Sequence, residues 1–92
     1  MGKANWAQVT ADGALVARNC VVRTYVVTGD GTNAGRVIFY DSPSAASGTV
    51  LQEIRVALGE TLVVNVPDDG QQAETGVYAD VTTVGRAGIF YH

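Results

Sequence analysis

Fifteen valines and nine threonines, most of them in short runs broken by glycine, aspartate or proline, constrain this 92-residue chain more than any other feature. Side chains branched at Cβ lose rotamer freedom in a helix and pack well on a pleated sheet, so each run is biased toward strand. No segment shows an apolar stripe at helical spacing over three turns. Residues 44–58, the one stretch worth testing as helix, are interrupted by Gly48 before Thr49 opens another β-type run.

The breaks give the strand order. Asp12-Gly13 marks a turn between strands near 7–10 and 14–18. A long strand at 20–28 runs into the glycine-rich loop 29–35, and a strand at 36–41 is closed by Ser42-Pro43. Strands at 49–58 and 61–66 flank a tight Gly59-Glu60 connection. Pro67-Asp68-Asp69-Gly70 and a polar loop through Gly76 precede strands at 77–84 and 88–91, joined by Gly85-Arg86-Ala87. Alternation sets faces: Ile54, Val56 and Leu58 share one side, as do Leu62, Val64 and Val66, and Val77, Ala79 and Val81. Crossover helices have no room. The chain reads as all-β, a small β-sandwich or compact barrel of about eight short antiparallel strands. Residues 1–92 form one domain, with 1–12 an interface-forming N-terminal arm.

A chain this short buries only roughly 60–65% of its extended surface, so it depends on help from a crosslink, a metal or a partner. Cys20 is the only cysteine, which excludes an internal disulfide, and beside Val21-Val22 it reads as a small buried hydrophobe. One cysteine and one histidine cannot make a structural zinc tetrad. Association remains. Only 16% of residues are charged while 47% are hydrophobic, which suits a subunit that covers part of itself with neighbours.

The net charge of -3 and the scattering of the six cations argue against nucleic acid as a partner. No run approaches the roughly 18 apolar residues of a membrane span, and the opening residues predict no secretory leader. Catalytic groups are scarce. His92 is the last residue, a poor place to hold a general base. Asp68, Asp69 and Glu74, with Asp30 and Asp41 flanking another hairpin, are the remaining carboxylates of interest. They read as turn residues, with a calcium loop as the alternative. No enzyme activity and no cofactor are expected. The aromatics are better candidates for contact. Phe39-Tyr40 and Phe90-Tyr91 are consecutive, so one member of each pair should face away from its local core. Trp6, Tyr25, Tyr40, Tyr78 and Tyr91 are the interface candidates, with Trp6 foremost.

Several stretches, in order, resemble the small β-rich structural proteins of tailed bacteriophages that decorate or cement the capsid. They are Val21-Val22-Arg23-Thr24-Tyr25-Val26-Val27, then Val37-Ile38-Phe39-Tyr40-Asp41 leading to Ser47-Gly48-Thr49-Val50-Leu51, and Val56-Ala57-Leu58-Gly59-Glu60-Thr61. Gly76-Val77-Tyr78-Ala79-Asp80-Val81-Thr82 and Gly88-Ile89-Phe90-Tyr91 complete the set. The resemblance implies a jelly-roll or related sandwich without catalytic residues. It also implies a homotrimer made in the host cytoplasm and bound to the major capsid protein on the virion exterior. A carbohydrate- or ligand-binding β-sandwich module of a phage tail or fibre apparatus is the alternative.

Overall fold

In a computed structural model that describes residues 5–67 and 70–92, the chain forms nine strands in two antiparallel sheets, and no helix occurs among the described residues. The strands are β1 (Asn5–Val9), β2 (Gly13–Val16), β3 (Cys20–Gly29), β4 (Gly35–Asp41), β5 (Thr49–Val56), β6 (Thr61–Asn65), β7 (Gln71–Ala73), β8 (Val77–Thr82) and β9 (Val84–Tyr91). One sheet has the order β1-β9-β3-β6 with β7 also beside β3, and the other has the order β2-β8-β4-β5. β6 pairs with β3 from Thr24 to Thr28, and β7 pairs with it from Cys20 to Val22. Between them the Val66 amide donates to the Arg23 carbonyl at 2.9 Å. β6 and β7 are therefore one edge strand interrupted after Val66. Counted once, they leave eight strand positions whose alternation between sheets is that of a jelly-roll sandwich.

The core lies between the sheets. Val22, Tyr25, Val27, Ala87 and Ile89 meet Val37, Phe39, Val77 and Ala79, all fully buried. The Tyr25 and Phe39 rings pack at 4.7 Å between centroids, tilted by 51°. The Tyr25 hydroxyl reaches the open edge of the sandwich and donates to Gln71 Oε1 at 2.6 Å, while Gln71 Nε2 donates to the Leu51 carbonyl at 2.9 Å. Cys20 is buried, and loss of solvation pushes its thiol up despite the opposing charge of Arg18.

Several expectations change. The stretch expected as a polar loop contains β7, because Gln71, Gln72 and Ala73 continue the edge beside β3. The run expected as one strand at 77–84 is broken at Thr83, whose φ of 48° carries the chain from one sheet to the other in a single residue. β9 then starts at Val84 and includes the supposed Gly85-Arg86-Ala87 connection. β5 ends at Val56, so Leu58 sits in a turn and is 59% exposed instead of facing inward. Asn5–Val9 are no free arm: they pair along their whole length with β9. The C-terminus is also tied down, since the His92 and Val21 backbones exchange hydrogen bonds of 2.9 and 2.8 Å.

Two carboxylates fasten the connections. Asp12 Oδ1 accepts the Val81 amide at 2.7 Å, holding the β1–β2 turn to β8. Asp41, at the end of β4, accepts the amides of Glu74 and Thr75 at 3.0 and 2.9 Å and the Thr75 hydroxyl at 2.9 Å. Partial desolvation pushes the Asp41 carboxyl up, but these donors outweigh it and hold the group below its ordinary 3.8. A carboxylate lowered on folding stabilises above its unfolded pKa, and the effect is lost as pH falls through the folded value. Asp41→Ala should cost about 1 kcal/mol at neutral pH, solvent screening holding the figure down at this open site, and less below the folded pKa. Urea unfolding of both proteins at neutral and strongly acidic pH checks this.

Candidate interaction faces

The two outer faces of the sandwich differ in chemistry. On the five-stranded sheet, register places Trp6, Phe90, Thr24 and Asn65 in one row across β1, β9, β3 and β6. The next row is Gln8, Gly88, Val26 and Val63, and the last is Arg86, Thr28 and Thr61. Trp6 and Phe90 are 40% and 38% exposed, their rings 4.7 Å apart, and Val63 is 56% exposed. The Trp6 ring lies over Gly88, where a Cβ would collide with it. Polar groups on this face are largely spent on one another: the Thr24 hydroxyl donates to Asn65 Oδ1 at 3.1 Å. Charge within these rows is confined to Arg86 at the margin. A flat face of this kind has little to hold water and no strong field to select a small charged ligand.

The four-stranded sheet presents a different surface. Ala14, Tyr78, Tyr40 and Val50 form one row, Asp80, Ile38 and Glu53 the second, and Thr82, Arg36 and Arg55 the third. Glu53 lies 3.9 Å from Arg36 and 3.3 Å from Arg55. All three are substantially exposed, so these pairs contribute little to stability. Beside them, Ala34, Val56, Ala57, Thr82 and Thr83 line an open groove of about 480 Å³.

The five aromatic interface candidates are therefore dispersed. Tyr40 and Tyr78 are direct cross-strand partners on the charged sheet. Trp6 is on the opposite outer face, stacked on Phe90, and Tyr91 is half-buried with the Arg18 guanidinium 5.8 Å from its ring centre. Tyr25 is wholly inside the core and offers no surface to a neighbour. The residues that complete the apolar face are Phe90, Val26 and Val63. Their signal is the outward side of each alternating strand, which becomes a patch only when the topology sets those strands side by side.

Among the described residues no three of histidine, cysteine, aspartate and glutamate come together as a metal-holding group. Asp30 is a turn residue, accepting the amides of Thr32 and Asn33 at 2.6 and 3.0 Å, bonds that hold its carboxyl below the usual range. Asp68 and Asp69, the other calcium candidates, lie outside the described residues. A second groove, about 410 Å³, opens between the edges of the two sheets and is lined by Gln52, Val64, Asn65 and Gln71. No protein-family model matches the chain, and no curated protein or solved structure matches it.

Proposed function

We propose that this chain is a non-enzymatic structural subunit of a bacteriophage virion, a capsid decoration protein that binds the outside of the assembled head and stabilises it. The observation that carries the reading is the outer face of the five-stranded sheet, where Trp6, Phe90, Val26 and Val63 stand among threonines and amides. A molecule 38 by 27 Å across its broad dimensions has room on that face for the roughly 800 Å² per partner of a standard interface. Buried aromatic anchors at the centre of such a surface are the groups that carry binding energy. The ordered resemblance to capsid-decorating proteins and the jelly-roll topology support the same reading, and the major capsid protein is the partner it names.

The groove between the sheet edges favours a second reading, a carbohydrate- or ligand-binding module, since it gathers the amides Gln52, Asn65 and Gln71. Two of these amides are already engaged, Gln71 with Tyr25 and Leu51 and Asn65 with Thr24. That leaves few free polar groups to orient a sugar, and the reading ranks second.

Combining Trp6→Lys with Val63→Lys tests the first reading. Both side chains face outward, so the β-type circular dichroism should persist while binding to heads lacking this protein falls about tenfold or more. Undiminished binding by the folded double variant would exclude this face as the contact. Saturable binding of a defined glycan, with none to heads, would favour the second reading.

A further inference from the structure

We propose that β5 pairs antiparallel with β5 of a second copy across a two-fold axis at Ile54, joining two four-stranded sheets into one of eight strands. This goes beyond the decoration reading, because it concerns the edge of the four-stranded sheet and not the outer face of the five-stranded one.

Exposed sheet edges offer unpaired backbone donors and acceptors, and short strands, prolines and interruptions blunt them. The edges β1 and β2 are only five and four residues long. The β6–β7 edge is broken after Val66, where Pro67 follows. β5 is different: eight residues without proline, paired on one side only, by β4. Side chains cap the backbone on either side of its centre, the Leu51 carbonyl by Gln71 Nε2 and, just past the strand, the Ala57 amide by Glu60 Oε1 at 3.1 Å. Among the described residues no hydrogen bond from another segment's side chain caps the backbone from Gln52 to Val56. The midpoint of that open window is Ile54.

An antiparallel two-fold at Ile54 sets Glu53 of each copy opposite Arg55 of the other. Opposite charges in register across an antiparallel pair are favourable, and like charges are not. Within one chain Arg55 already stands opposite Arg36, and both lean on the single carboxylate of Glu53. Arg55 remains 76% exposed and free to engage a second carboxylate. Arg36, Arg55, Glu53 and Asp80 sum to zero on this face, so two copies meet without net repulsion. Self-complementarity of this kind is what an isologous contact requires, and it closes on a pair. It does not build the three-fold ring implied by the phage resemblance.

A contact of one strand edge is narrow and belongs with weak interfaces, so sedimentation equilibrium should be run up to about 500 µM. The native chain should reach a dimer. Glu53→Arg and Arg55→Glu, each placing like charges on both sides of the axis, should each weaken self-association about tenfold or more. Far-ultraviolet circular dichroism of each variant confirms that its fold is intact. An equimolar mixture of the two variants has complementary edges and should dimerise again, as should the double variant carrying both changes. A native chain that stays monomeric at the highest concentration, a trimer in place of a dimer, or single variants that associate as tightly as the native chain would overturn the proposal. None of these outcomes bears on binding to heads through the opposite sheet.

Discussion

Phe39→Ala should leave the chain largely unfolded at ambient temperature. Phe39 is fully buried in β4, between β8 and β5, and its ring packs on Tyr25 from the other sheet. Removing a buried phenylalanine costs about 3–5 kcal/mol, through lost transfer energy and a cavity the surroundings only partly fill. A chain of this size has about 5 kcal/mol of stability at the lower end of the usual range. With no crosslink to hold the sheets together, little would remain. Urea unfolding followed by tyrosine and tryptophan fluorescence gives the number, and Phe39→Leu, which keeps most of the volume, should retain a cooperative transition. A loss below about 1 kcal/mol for the alanine variant would mean that the two sheets do not depend on this contact.

Gly35→Ala should be nearly as damaging, because the site has no room for a Cβ. A Cβ at Gly35 would run into the Thr83 carbonyl and a Val84 methyl, and would lie 2.8 Å from the Thr82 carbonyl. These atoms belong to the corner at which the chain changes sheets, where Thr83 holds a φ of 48° and its hydroxyl donates to the Ala34 carbonyl at 2.7 Å. A positive φ is costly for a β-branched residue, so the corner is already strained and cannot yield cheaply. A destabilisation of about 2–3 kcal/mol is expected. Gly31→Ala is the control, because nothing lies within 4 Å of its added Cβ. There the substitution should be neutral or stabilise by about 0.5 kcal/mol, by restricting the unfolded chain.

The fold was legible wherever burial follows a period of two. Leu62 and Val64 turn inward from β6 while Val63 faces out, and Val77 and Ala79 are buried on β8, as their alternation requires. Reading failed where a long-range contact decides. The polar Gln71–Ala73 become a strand because β3 offers an unpaired edge there, which no local pattern announces. The β-branched run from Val77 to Val84 reads as one strand because the sheet-to-sheet corner at Thr83 is a property of the topology and not of the local residues. Tyr25 faces the core, not a neighbour, for a related reason. The register slips between Val22 and Thr24, so Val22 and Tyr25, three apart, face the same core. Of the candidate contact surface, Trp6 was visible in the sequence as an aromatic near the start of the chain. Its combination with Phe90, Val26 and Val63 needed the strand order.

The proposed role as a virion subunit is tested most directly by the composition of the particle. Quantitative mass spectrometry of purified phage particles should find this protein in a fixed ratio to the major capsid protein, unchanged through successive purification steps. Its absence from particles that are intact and infectious would contradict the account.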